Sequence, residues 1–476
     1  MRYADHVASG YGIVWNVSEA PVDGATDFLF MLAVAALRCI GFSLELGVRL
    51  LTVFSHVATV ILIFLGMQRV QGASFLPAWL TAAYFATGPG FYLSAAYFGT
   101  PMFVLFLAGS WLLAQRLLSQ DMLTTKNQIL FSFACLLTGL VRPEGVLLSV
   151  FMLFAVGTLV SAVYFRRLLF IFCMIFLVVG GAYFLWHWHY FGYPLPNPYY
   201  KKGGWHLYPD SLRDSFRISL DLLLPILPVF LLALCSRKAL RMATAFMMPV
   251  IGSVVIWALL SKEMNFGGRF QYPTFVLGLL SWFPLIRKTG VYVKMKEYAV
   301  RHRVVRLLYC SLVLIITGVF FLREFYHVSK ISYKKDIRYD MAKVLHEYVD
   351  EGYTLATTEA GILPLYSGWR AVDTWGLNDA WIAHHNGVIT ELYLENQRPD
   401  LVIYHMSKYS EDENASGINN AEWSQQILVL KNYVSEHDFI LAAVMGDAAQ
   451  DGYFYYVRPD LPDSAEIIRR IRNAVR

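Results

Sequence analysis

The sequence predicts a polytopic α-helical membrane protein of about ten spans, followed by a small α/β domain outside the membrane. Three observations carry this. Of the 476 residues, 57% are hydrophobic and 16% aromatic, with a positive mean hydropathy, too apolar for a soluble chain of this length. Apolar runs of near span length recur between residues 47 and 322. After residue 323 the runs shorten, and Asp, Glu, Asn and His return. The expected organisation is therefore an outer loop with an interfacial helix over 1–46, a transmembrane domain over 47–322 and a soluble extracytoplasmic α/β domain over 323–476.

Residues 1–26 read as a loop, with Gly10, Gly12, Pro21 and Gly24, and not as a cleavable signal peptide. Residues 27–43 are apolar but too short to span, and Arg38 lies among them. They predict a helix lying on the membrane surface. Spans are expected at 47–66, 74–96, 100–117, 127–141, 145–164, 168–190, 215–236, 240–261, 271–286 and 305–322. In the tail, Leu401 to Tyr404, Phe439 to Val444 and Gly452 to Val457 predict strands. Residues 337–350, 421–434 and 463–475 predict helices. The sequon at Asn414-Ala415-Ser416 is only formal. The five cysteines lie in apolar stretches at no redox or metal spacing and read as small buried residues.

Basic residues set the orientation. Arg69, Arg116 with Lys126, Arg166 with Arg167, and Arg237 with Lys238 and Arg241 fall in alternate connections, as does the run Arg287 to Arg306. The positive-inside rule makes these connections cytoplasmic. The net charge of +5 thus reflects topology and gives no reason to expect nucleic acid. The remaining loops, which carry the chemically loaded residues, then share the outer face. An even number of spans with the tail outside also places Met1 outside, so a further helix is expected upstream of it.

Four groups in these outer loops can carry chemistry. Val22-Asp23-Gly24-Ala25-Thr26-Asp27 offers a carboxylate as general base or acceptor anchor; the alternative is a turn residue at Asp23 and a helix cap at Thr26 or Asp27. Arg142-Pro143-Glu144-Gly145 places an ion pair between two spans, as part of a site wall with Arg142 on phosphate and Glu144 in support, or as an internal salt bridge. Tyr193-Pro194-Leu195-Pro196-Asn197-Pro198-Tyr199-Tyr200-Lys201-Lys202 is pinned by proline and ends in two lysines, which grip a phosphate or snorkel to lipid headgroups. In Lys262-Glu263-Met264-Asn265-Phe266-Gly267-Gly268-Arg269-Phe270, two glycines permit close backbone approach and Arg269 can hold a phosphate bidentately. His187 and His189 flank Trp188 and read as part of the aromatic belt, since a metal site needs further ligands.

At these residues the chain resembles membrane glycosyltransferases of the GT-C fold. It is most similar to the bacterial branch, including arabinofuranosyltransferases, that uses polyprenyl-phosphate-linked sugars. Arg2-Tyr3-Ala4, Gly10-Tyr11-Gly12 and Val22-Asp23-Gly24 look like that branch's first outer loop. Leu140 to Gly145 matches its RPEG turn, Leu195 to Lys201 is similar to its LPNTFYAK loop, and Glu263 to Phe270 looks like its GDWMPxGRF loop. In the tail, Val372-Asp373 and Gly376-Leu377-Asn378-Asp379 resemble its IDLLGLND run. Two departures stand out. The family's paired acids lie upstream of its RYA, where this sequence has Met1, and Gly99 stands where the family often has glutamate.

The resemblance implies inverting transfer of a monosaccharide, arabinofuranose among those allowed, from a polyprenyl-phosphate donor to a glycan, lipid or protein acceptor of the cell envelope. The membrane would be the bacterial inner membrane, with the site and the tail facing the periplasm. Asp23 and Glu263 are then the candidate bases. Arg269, Lys201, Arg142 and Lys202 are the candidate phosphate ligands, and Asn197 supports them. Asp373, Asn378 and Asp379 are candidates for handling the acceptor. A monophosphate donor needs no cofactor when basic residues hold it; a divalent cation is compatible but not required. Besides membrane lipids, the expected partners are the lipid-linked sugar and its acceptor. The rival readings are a transporter of lipid-linked sugar, which should show repeated halves and mid-span breaks, and an inactive homologue.

Overall fold

The computed structural model describes all residues except 96–97, 204–205, 263–264, 295–296, 298–303, 305–306, 308–310, 312–314, 316–317, 320, 327, 330–335, 408–419, 448–450 and 476. Its first part is a helical bundle. After α1 (Arg2–Ala8) and the short α2 (Phe28–Cys39) come α3 (Leu44–Arg69), α4 (Phe75–Thr87), α5 (Pro89–Ala95), α6 (Thr100–Arg116), α7 (Thr125–Val141) and α8 (Glu144–Gly157). Then follow α9 (Ala162–Ile175), α10 (Gly181–Phe191), α11 (Asn197–Lys202), α12 (Pro209–Leu223), α13 (Leu227–Cys235), α14 (Leu240–Val255) and α15 (Tyr272–Thr289).

Local chemistry explains the boundaries. Ser43 Oγ accepts the Leu46 N–H at 3.2 Å and starts α3. Gly66 then lets α3 lie against Leu112 of α6; a Cβ there would fall 2.4 Å from Leu112 Cδ1. A π-turn at Phe176–Gly180 joins α9 to α10, giving one 30-residue apolar helix that leaves most of its surface outward. That helix ends where Gly192 takes φ 78°, a left-handed terminus that favours glycine.

Among the described residues, Leu44–Arg69, Ala162–Phe191 and Leu240–Ala258 are each long and apolar enough to cross a membrane. Several expected spans are broken. Residues 74–96 divide at Gly88 into α4 and α5, and 145–164 stop at Gly157. Residues 215–236 form α12 and α13, bent by 93°. Pro89 and Pro228 each open a second half, where a missing N–H costs nothing. Most of 305–322 lies outside the described residues. Cysteine burial also differs from expectation, since Cys39 and Cys235 are exposed. Cys310 lies outside the described residues.

The C-terminal part holds a five-stranded sheet in the order β2-β1-β3-β5-β4. β1 (Thr354–Thr357) pairs in parallel with β2 (Arg370–Asp373) and with β3 (Leu401–Ser407). β5 (Asp451–Val457) runs antiparallel to β3 and to β4 (Ile440–Asp447). The three expected strands are present. β1 and β2 were missed because each has only four residues and β1 is buried on both faces, which removes the alternation that marks a strand. The helix Ser464–Val475 covers one face with Ile467, Ile468 and Ile471 buried and its arginines outward.

Candidate functional site

Two sets of charged residues meet at one end of the bundle, and they differ in whether their polar groups are satisfied. The first begins at the turn between α7 and α8. Arg142 leaves the helix in extended conformation, with φ −148° and ψ 137°, because the following proline disfavours a helical residue there. Its guanidinium lies 2.9 Å from Asp27 Oδ1 and 2.7 Å from Glu144 Oε1. Burial discourages charge on Arg142, yet the two carboxylates more than offset this and raise its pKa.

Arg269 joins this set. Gly267 and Gly268 take φ 62° and 69°, a pair of left-handed turns that brings the chain tightly round to Arg269. The guanidinium lies over the Phe98 ring at 4.0 Å and the Phe270 ring at 5.1 Å. It has no hydrogen-bond or ion-pair partner among the described residues, and its Nε is buried and unsatisfied. Burial, then repulsion from Arg142, lowers its pKa to about 10. Attraction from Asp27 and Glu144 acts the other way.

Gly99 completes this set by lacking a side chain. Its backbone is ordinary, with φ −65°, so conformation does not demand glycine. Space does: a Cβ at Gly99 would fall 2.4 Å from Asp27 Oδ2. Asp27 was one of the two cap candidates, but it makes no side-chain cap bond. Its Oδ1 serves Arg142, while Oδ2 accepts no hydrogen bond among the described residues.

The second set ties the outer loops to the sheet. Asp23 does not reach Arg142. Its carboxylate accepts from His187 Nε2 at 2.7 Å, with the two side chains 10% and 7% exposed. The neighbouring void measures about 10 Å³, room for about one water and not for a sugar. The pairing also removes His187 from the aromatic belt. Asn197 donates its backbone N–H to Asp23 O at 2.8 Å. Its amide donates to the carbonyls of Gly376, Leu377 and Asp379 at 2.9, 3.0 and 3.2 Å.

Lys201 turns into the same region. Its ammonium lies 2.6 Å from Gly387 O, 3.0 Å from Glu422 Oε2 and 3.8 Å from the centre of the Trp375 ring. The side chain is 0% exposed, so it meets protein groups on each side the structure describes. Lys202 is half-buried, and its carbonyl accepts from Ser261 N at 3.2 Å. Glu263 lies outside the described residues.

The three tail candidates hold structure in place. Asp373 is fully buried and accepts from Trp375 N, Asn378 N and Asn378 Nδ2. Burial pushes its pKa up to about 6, against the pull of the Asn378 donors. Asn378 Oδ1 accepts from Tyr3 at 3.0 Å. Asp379 caps the helix Ala380–His384 through Ile382 N and accepts from Tyr393 at 2.5 Å. Arg2 donates to Trp15 O, Pro364 O, Asn16 Oδ1 and Trp369 O. The RYA-like start of the chain is therefore a clamp on the sheet. Neither this clamp nor the Asp27 contact was visible in the sequence, because both join residues far apart in the chain.

The comparisons follow the same division. Residues 326–456 match a family model described as a domain of unknown function (DUF8728). No curated protein matches the chain in sequence. In structure, the chain is similar to ArnT from Cupriavidus metallidurans, whose crystal structure is bound to undecaprenyl phosphate. The TM-score is 0.54 at 13% identity, covering 95% of this chain and 92% of that one. The bundle and the following sheet together thus have the GT-C fold that the sequence led us to expect.

Proposed function

We propose that this chain is a membrane glycosyltransferase that moves a monosaccharide from a polyprenyl-phosphate donor to an acceptor hydroxyl of the cell envelope, with inversion, at the periplasmic face of the bacterial inner membrane. One observation carries the reading. Arg269 is a half-buried guanidinium whose buried Nε is unsatisfied and which has no anionic partner among the described residues, beside the Arg142–Asp27–Glu144 cluster. It sits in a fold shared with a protein crystallised with undecaprenyl phosphate.

The chemistry follows from the charges. As the acceptor oxygen forms its bond to the anomeric carbon, the bond from that carbon to the phosphate oxygen breaks, and the electron pair leaves with the phosphate. Arg269, with Arg142 behind it, stabilises the growing negative charge. Asp27 Oδ2 is the open carboxylate oxygen beside these cations and accepts the hydroxyl proton, a role worth about 10²–10⁴-fold. Asp23 and Lys201, held in the other set, position the loops around the site and leave the chemistry to these groups.

The test uses the full chain in proteoliposomes with a radiolabelled polyprenyl-phosphoryl sugar. Label should move to an envelope acceptor, with free polyprenyl phosphate as co-product, and Arg269→Ala should abolish this. A lipid-linked sugar that crosses the bilayer intact, with no polyprenyl phosphate released, would replace transfer by transport.

A further inference from the structure

We propose that the opposite end of the bundle carries a second, separate binding site for a phosphate-bearing headgroup. Helices α6 and α15, of 17 and 18 residues, each start beside the Arg142–Arg269 cluster. At 1.5 Å per residue they end roughly 25 Å away. A cavity of about 640 Å³ opens there.

Its lining is chemically lopsided. Lys238 comes from the loop between α13 and α14, and Arg287 and Lys288 come from the last turn of α15. All three are exposed. Among the described residues, no carboxylate lines the cavity. A basic residue at a helix C-terminus is favourable on its own, which accounts for Arg287 and Lys288. Lys238 lies in a connection that the positive-inside rule makes basic, and it comes from another segment, so cations from two segments converge on one cavity.

The rest of the wall is mixed, with Met242 and Phe246 from α14 on the apolar side and Gln71, Gln115 and Ser119 as neutral polar groups. Three cations with neutral donors and an apolar side suit a ligand with a phosphate at one end and hydrocarbon at the other. Arg287 is already fixed, since its Nη1 donates to Gln71 O at 2.8 Å, so Lys238 and Lys288 are the cations free to swing onto a ligand. The ligand chemistry is a phosphate monoester or diester, carried by an anionic lipid or by a soluble phosphate compound. The site is independent of the transfer reaction proposed above.

Native mass spectrometry of the full chain, titrated with phosphatidylglycerol or phosphatidylcholine, tests this. Phosphatidylglycerol should bind at least about tenfold tighter, and K238Q/K288Q should remove that preference. The single variants K238Q and K288Q should each weaken it about threefold, and they serve if the double variant folds poorly. R213Q, at an exposed arginine of α12 outside this cavity, should leave it unchanged. If millimolar inorganic phosphate displaces the lipid from wild type but not from K238Q/K288Q, the site stands and its ligand is a soluble phosphate. Equal binding of both lipids by wild type, retention of the preference by the lysine variants, or its loss in R213Q would overturn the proposal.

Discussion

Lys201, which is buried, and Arg269, which is half-buried with a buried Nε, are cations from loops at the same end of the bundle, and they differ in what surrounds them. Lys201 has a carbonyl, a carboxylate and an aromatic face. Arg269 has two aromatic rings and an unsatisfied Nε. A buried charge that is fully hydrogen-bonded holds elements together, whereas one left without its donors' partners costs stability. In the proposed function such a cost persists because the vacant donor is needed, which is why the phosphate is assigned to the unsatisfied arginine and not to the satisfied lysine.

Substitutions separate the two roles. The largest effect is expected from Arg269→Gln, which should lower transfer about 10²–10³-fold while leaving the melting temperature nearly unchanged. A large loss of stability in that variant would erase the contrast. Arg2→Ala should do the reverse at the clamp. It takes the Arg2 donors from three buried carbonyls, while Asn16 Oδ1 keeps its bond from Ala371 N, and should cost at least about 1–3 kcal/mol, read as earlier thermal unfolding and faster proteolysis of the sheet region.

Gly99→Ala lies between these two. Its methyl must displace Asp27 Oδ2, so transfer should fall at a cost of about 1–3 kcal/mol in stability, measured by parallel activity and melting assays. Normal activity in Gly99→Ala would remove Asp27 from the mechanism.

A last, pH-dependent effect concerns Asp373. Its folded pKa of about 6 lies above the ordinary 3.8, so between these values the folded state binds more protons than the unfolded one. Stability therefore falls as pH rises from about 4 to 6, by up to about 3 kcal/mol from this group. Asp373→Asn should flatten that slope in a pH series of melting curves.

Patterns within one segment were legible in the sequence. Apolar runs located the helices, alternation located β3, β4 and β5, and the Arg142 turn was readable because proline and a neighbouring carboxylate act locally. What a sequence hides is which distant partner satisfies a polar group. Lys201 read as a phosphate ligand, and Asn197 as its support, because a proline-pinned loop with lysines has that composition. Their partners lie 179–186 residues away for the nearest carbonyls and 221 for Glu422. Asp23 and Asp27 lie four positions apart in the non-helical stretch before α2, and only the folded path of that stretch decides which faces Arg142. His187 carried one usable signal, its place one turn before Phe191, whose ring packs against it at 4.8 Å.

The clamp at Arg2 also governs the order of assembly. Arg2 and Tyr3 are made long before their partners at Pro364, Trp369 and Asn378, which lie 362 to 375 positions later. Contacts of such separation form late and slowly. While the helices enter the bilayer during synthesis, the end that bears the Arg142–Arg269 cluster stays unclosed, and it is sealed only when the chain has been translated past residue 378. A nascent chain stalled before that point would carry its spans in place with the first loop undocked.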